Sequence, residues 1–438
     1  MKDSGDASKV VKNLKADGIE YVRFEMPDLH GTSRSKTIPI DHVEGYAKKG
    51  LNLYGGTLGL DTASNVVPGT GLAEEINYAD SKLFPDFETI RIIPWVEKTA
   101  KVICDAYDQQ DDLIQGAPRY VLSNLLSQAK KMGYEVTIGH EFEFYLLDAE
   151  TRKPLFEGLH IFNTTRNNYV DFTDLMLDNL RKIGVDIITH NSEYASSQFE
   201  TNFSHAIGLV AADNAFTFKN AVKELAHRNG FLATFMSKPY SAGAGCGCHI
   251  HMGLLDGGTN VFSGEKGALS KEGDSFTAGI LKHAKAMMPL IGPTPNCYHR
   301  LKPHTFAPSN ISWGIEDRTA LVRAKPEGDN SHIEMRGASG VTNPYLTAAA
   351  TLAAGLLGIK NNLVLDPEVD GPCEENETLE KLPSSLEVAL AGLKNDDEMC
   401  NMLGADFIKL FTTVKEFELA RFRGHVTDWE RDEYMEVY

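Results

Sequence analysis

The segment Ile138-Gly-His-Glu-Phe-Glu-Phe-Tyr-Leu-Leu147 sets two carboxylates inside an otherwise apolar run, and no other feature constrains the fold as tightly. Alternation with a period of two predicts a strand over 134–147. It would carry Glu141 and Glu143 on one face and Phe142 and Phe144 on the other. Carboxylates in an apolar sheet need a cation or a cage of donors. Taken alone, the segment also fits a solvated strand face.

Three more segments repeat the anomaly. His190-Asn-Ser-Glu193 and Gln198-Phe-Glu200 supply two glutamates seven positions apart. Gly243-Ala-Gly-Cys-Gly-Cys-His249-Ile-His251-Met-Gly253 puts two histidines on one strand face, behind glycines that permit close backbone approach. Ser331-His-Ile-Glu334-Met-Arg336 alternates again, with Glu334 and Arg336 on one side. Glu141, Glu143, Glu193, Glu200, Glu334 and His249 would together form a hard, oxygen-rich donor set. Such a set favours Mg²⁺ or Mn²⁺ over zinc or copper. Five carboxylates outweigh one divalent ion by three charges, so two or more ions are expected. Arg300, Arg318 and Arg323 lie between the third and fourth segments, and their guanidinium forks suit phosphate or carboxylate. Arg318, beside Asp317, also has the plainer reading of a surface ion pair. The glycines match neither GxGxxG nor GxxxxGK[ST].

The rest of the chain frames this constellation. A length of 438 residues predicts two domains. Short strands are expected at 21–26, 32–38, 89–93 and 101–105, with a turn at 27–31 and a short helix capped by Asp41 and ending near Gly50. The polar run 108–112 predicts a boundary, giving domains over 1–110 and 111–438. Beyond it Pro118 opens a long helix, and further helices are expected at 171–183, 213–229 and from Pro344, behind an Asn343 cap, to about 361. Strands are expected at 185–193, 232–236 and 248–254, and helices dominate after 384; the class is α+β. A net charge of −18 argues against a nucleic-acid backbone as partner. No run of eighteen apolar residues predicts a membrane span, and no apolar leader stands near Met1, so a cytoplasmic location is expected. The six scattered cysteines read as reduced thiols, and Cys246 and Cys248 lack the second pair a zinc site needs.

In their order, these segments resemble the class I glutamine synthetase pattern over nearly the whole chain. The match includes Asp317-Arg-Thr-Ala-Leu-Val-Arg323, Ile333-Glu-Met-Arg336, Asn343-Pro-Tyr345 and Trp429-Glu-Arg431. The resemblance implies a small N-terminal β-grasp domain before a large glutamine synthetase catalytic domain. It implies one metal at Glu143, Glu193 and Glu200 and another at Glu141, His249 and Glu334. Glutamate would be held by Gly245, Arg300 and Arg336, and ATP phosphates by Arg318 and Arg323 with His251 nearby; Arg300 and Arg318 would be catalytic. It further implies a homododecamer whose β-grasp domains complete neighbouring active sites. The implied chemistry is coherent: a poorly electrophilic γ-carboxylate is activated by phosphoryl transfer, and a nitrogen nucleophile then attacks the acyl phosphate.

Two departures bear on that nucleophile. Where the family's ammonium-binding aspartate is expected, this chain reads Tyr54-Gly-Gly-Thr57, and Pro303-His-Thr-Phe306-Ala-Pro308 carries Phe306 in place of a flap glutamate. Without those charges a small cation keeps only cation–π attraction, roughly 0.5–2 kcal/mol. Phe306 resembles the flap ring of γ-glutamyl ligases for larger amines. His332 replaces a usual ATP-contacting arginine. The stretches 24–39 and 212–217 look most like lengsin, an animal branch whose lens form has lost metal ligands, whereas this chain keeps all six. Three readings stay open: a ligase for an amine other than ammonia, a glutamine synthetase proper, and a non-catalytic structural or binding protein of lengsin type.

Overall fold

Two sheets organise the chain, and they share no strand. The computed structural model describes residues 7–158, 161–265, 267–369 and 371–438. The first sheet holds β1 (Tyr21–Pro27), β2 (Ser33–Pro39), β3 (Leu51–Tyr54), β4 (Asp80–Ile92) and β5 (Thr99–Tyr107), in the order β2-β1-β5-β4-β3. Its central pair, β1 and β5, runs parallel, and the outer pairings are antiparallel. The β1–β2 turn forms because the Asp28 carboxylate accepts the amides of His30 and Thr32. The short helix Val43–Lys49 and a further helix, Ala7–Ala16, contribute Val43, Val11 and Leu14 to a small core with Phe24, Val22 and Val102. Asp41 does not cap that helix. It sits in the preceding 3₁₀ turn, where its carboxylate is drawn to Lys15 at 2.6 Å.

The second sheet is larger. It comprises β6 (Glu135–Asp148), β7 (Ile187–Ser192), β8 (Gln198–Phe203), β9 (Ala206–Ile207), β10 (Phe231–Thr234), β11 (Cys248–Asp256), β12 (Thr259–Asn260), β13 (Trp313–Ile315), β14 (Val322–Lys325) and β15 (His332–Met335). Its main path is β13-β14-β15-β11-β6-β8-β7, with β6 at the crossroads because β9 and β10 also pair with it. Register decides what shares a face. Glu141 lies opposite both His249 and Asn202, Glu143 opposite Glu200, and Glu334 opposite both His251 and Arg323. One face therefore gathers the charges, and Phe142, Phe144, Phe199, Ile250, Met252, Ile333 and Val322 form the other.

That apolar face is covered by helices. The helix Leu209–Arg228 starts a turn earlier than the sequence pattern predicts and brings Phe218 against Phe142, with ring centroids 5.6 Å apart. The helix Pro344–Lys360, capped by Asn343 through the amides of Tyr345 and Leu346, is buried on every side up to Gly358. Its all-round apolarity marks a central core helix. Among the described residues no helix is long and apolar enough to cross a membrane. The two sheets are bridged by Arg119, whose guanidinium meets Asp86 and Asp105 of the first sheet's strands and Asp213 of the helix Leu209–Arg228.

Candidate active site

The charged face of the large sheet brings Glu141, His249 and Glu334 together: one ligand atom from each lies within 4.8 Å of the others. His249 Nδ1 stands 2.6 Å from Glu141 Oε1 and 3.5 Å from Glu334 Oε1, and His251 Nε2 is 3.6 Å from Glu141 Oε2. Burial alone would raise the Glu141 carboxyl, but hydrogen bonds and charge from His249 and His251 outweigh it and hold the group well below the usual range. Glu334 is likewise held down to about 2, burial being overcome by His249, Arg336 and His251. Arg336 and Arg323 both pair with Glu334, Arg323 at 2.9 Å, so this one carboxylate is already neutralised by the chain.

The other three glutamates are in the opposite condition. Glu143 accepts the Gly247 amide at 2.7 Å and has Gln198 Nε2 at 3.4 Å. Glu200 is pushed up to about 10, first by burial and then by the charges of Glu141, Glu143 and Glu193. Glu193 rises to about 7, by burial and then by Glu143. No lysine or arginine pairs with Glu143, Glu193 or Glu200 among the described residues. A buried cluster of this kind gives up its protons readily only when a cation replaces them. His249 Nε2 is a further sign, being buried without a hydrogen-bond partner. Both observations and the oxygen-rich donors fit divalent ions, which would supply charge neutralisation and electrophilic activation at this face.

Arg300 lies beside this cluster, 2% exposed, with only carbonyl partners: Gly337 at 3.4 Å, Ala338 at 3.2 Å and Arg336 at 3.4 Å. The glycine-rich segment makes room for it. A Cβ on Gly245 would meet its Cγ at 2.7 Å, and one on Gly247 would meet Nη2 at 2.6 Å. A buried guanidinium without a carboxylate partner is a receptor for an anion. Arg318 is exposed, and the neighbouring Asp317 carboxylate is taken by Thr319 and the Cys373 amide. Arg323 is engaged by Glu334 and Glu316. A cavity of about 500 Å³ opens beside Glu141, bordered by His251, His332, Asn202, Ser331 and Glu327. That volume lies in the range of small-molecule sites. His332 Nε2 lies 3.1 Å from His251 Nδ1, joining the two rings along its wall.

Two expected residues come from outside the strands that carry the carboxylates. Tyr54 ends β3 in the first sheet, folds back over Gly56 and faces Tyr78 and Glu74. Phe306 is 65% exposed on a loop with left-handed backbone (φ 59°), and its ring meets Tyr194, centroids 4.8 Å apart. Tyr194 follows Glu193 directly, and its amide donates to the Glu193 carboxylate at 3.0 Å. The sequence gives Tyr194 no signal of its own beyond that adjacency. Lys219 is also silent in sequence. It is fully buried, bonds the carbonyls of Gly340 and Thr342, and burial draws it down to about 7.

Known proteins carry the same architecture. The chain is 32% identical over 451 residues to a glutamine synthetase of Halobacterium salinarum, covering 98% of this chain and 96% of the relative. It is 31% identical over 451 residues to a glutamate–isopropylamine ligase of a Pseudomonas species, covering 98% of each. A solved structure described as a GmaS/ADP complex superimposes with a TM-score of 0.87 at 28% identity, covering 98% of this chain and 99% of that one. The model of the glutamine synthetase catalytic domain matches residues 115–434. With that match spanning most of the sequence, and relatives above 30% identity aligned end to end, this chain belongs to the glutamine synthetase family of ligases.

Proposed function

We propose that this chain is an ATP-dependent γ-glutamyl ligase that joins glutamate to a small primary amine, with ammonia a poorer acceptor. The carrying observation is Phe306: an exposed aromatic ring, tilted against Tyr194 beside Glu193, occupies the flap position where an ammonium-binding carboxylate is expected. An uncharged ring favours an acceptor with carbon to bury. The Pseudomonas relative named for isopropylamine supports the same reading.

The proposed roles follow from position. Arg300, with Gly245 and Arg336, holds the glutamate carboxylate in the anion receptor described above. Arg318, Arg323 and His251 receive the nucleotide phosphates, Arg323 after leaving Glu316, and Arg300 and Arg318 neutralise charge as the phosphoryl group transfers. Glu143, Glu193 and Glu200 form one Mg²⁺ or Mn²⁺ site, and Glu141, His249 and Glu334 the other. The chain divides into domains over 1–110 and 111–438 and works in the cytoplasm. The lengsin-like stretches 24–39 and 212–217 support a position near that branch, with the six proposed metal ligands present in the sequence.

Purified protein with Mg²⁺ and ATP is expected to release phosphate when glutamate and a small alkylamine are both present. Phosphate release with ammonia alone would establish a glutamine synthetase proper. Nucleotide binding without phosphate release for any acceptor would leave only the non-catalytic reading. The double variant Phe306→Glu with Tyr54→Asp is expected to raise kcat/KM for ammonia by about tenfold, the worth of one restored charge contact. An unchanged ammonia rate would show that these two positions do not face the acceptor.

Assembly is part of the reading. Tyr54 lies in the first sheet, which shares no strand with the sheet bearing the carboxylates, and on this reading it serves an acceptor in a neighbouring subunit. The C-terminal residues Trp429, Met435, Val437 and Tyr438 are each more than 60% exposed, as residues awaiting a protein surface are. Light scattering is expected to give a dodecamer, and removal of the residues after Gly424 to yield smaller species. A monodisperse monomer for the full chain would refute the shared site.

A further inference from the structure

The pairing of Tyr194 with Phe306 has a second consequence for the acceptor. The two rings meet at 4.8 Å with their planes inclined by 53°, too close to admit a ligand between them. They therefore present one continuous apolar edge. Phe306 is 65% exposed and Tyr194 37%, so both rings keep a part of that edge open. The Tyr194 amide is fixed on the Glu193 carboxylate, and the flap is fixed from the other side by Thr305, whose hydroxyl donates to the Arg300 carbonyl at 2.6 Å. The aromatic edge is thus tied through the backbone to Glu193 on one side and, through Thr305, to Arg300 on the other.

We infer that Tyr194 is a specificity-determining residue, forming with Phe306 an aromatic platform for the carbon chain of a short aliphatic primary amine. This rests on the alkylamine reading above and adds to it the residue that sets acceptor size. A platform, unlike a slot between parallel rings, does not select flat or aromatic amines. It gains with each methylene laid against it until the chain outruns the two rings.

The test is steady-state phosphate release by the assembled protein with ammonia, methylamine, ethylamine and isopropylamine, for wild type, Tyr194→Ala, Tyr194→Phe and Tyr194→Ala with Phe306→Ala. Tyr194→Ala is expected to raise KM for ethylamine and isopropylamine about tenfold while leaving KM for glutamate and for ammonia within about twofold. Tyr194→Phe is expected to restore the wild-type values, since the ring and not the hydroxyl is used. The penalties of the two alanine changes are expected to fall short of additive, because each ring braces the other. Equal losses for ammonia and ethylamine, or no change in alkylamine KM, would overturn the role of Tyr194 while leaving the ligase reading intact. Wild-type protein that uses ammonia but no alkylamine would overturn both.

Discussion

Replacing Glu141 with alanine is expected to abolish Mn²⁺ binding at one site, leave a second site titratable, and reduce ligase turnover by at least about 100-fold. The magnitude follows from position. Groups that merely orient a metal ligand already cost about 10–100-fold in affinity when removed, and Glu141 belongs to the proposed ligand triad itself. Its loss also strips His249 of the carboxylate 2.6 Å from Nδ1 and leaves that ring unoriented. Electron paramagnetic titration of Mn²⁺ separates the outcomes. Two sites of unchanged affinity in the variant would remove Glu141 from the metal centre. A parallel loss at both sites would mean that the six groups form one cluster rather than two.

The metal-free protein is expected to lose thermal stability as pH rises from about 5 to about 9, with a fall in Tm on the order of 5 °C. Glu200 is raised to about 10 and Glu193 to about 7 from an ordinary 4.5. Between those limits the folded chain holds protons that the unfolded chain releases. The stability they contribute is complete below 4.5 and drains away as pH climbs through 7 toward 10. Glu141 and Glu334 act in a different window. Their depressed groups contribute stability above 4.5 that is lost only in acid, for Glu334 on falling through about 2. Mn²⁺ must displace the held protons, so the Tm gain it gives should be larger at high pH, with protons released on binding. Glu200→Gln should flatten the metal-free slope. A Tm that rises across this range without metal, or a Mn²⁺ effect independent of pH, would contradict the proton-loaded cluster.

Much of the site was legible as residue pattern. The strand carrying Glu141 and Glu143, the shared face of His249 and His251, the Asn343 cap and the helix behind it all follow from local periodicity and capping. Other elements were not. β3 is only four residues long, too short for a period to show, and Ala284–Ile291 is apolar nearly all round. Ala7–Ala16, with Val11 and Leu14 on its buried face, and Lys271–Lys282, capped by Ser270, are short helices whose local signals stand out only beside the cores they join. Asp41 looked like a cap and is instead drawn off by Lys15, a partner from another helix.

What the sequence determined by itself was which side chains share a face, since a period of two is a property of the strand alone. It also placed an excess of carboxylates on these faces, the pattern from which divalent ions are expected. Only the tertiary structure decided which strands lie side by side, and so that Glu334 sits between Arg323 and Arg336 while Glu200 finds no cation among the described residues. It likewise set Phe306 on Tyr194, more than a hundred residues away in sequence. The reason is physical: register and loop placement are fixed by packing between distant segments, and no local pattern encodes the partner.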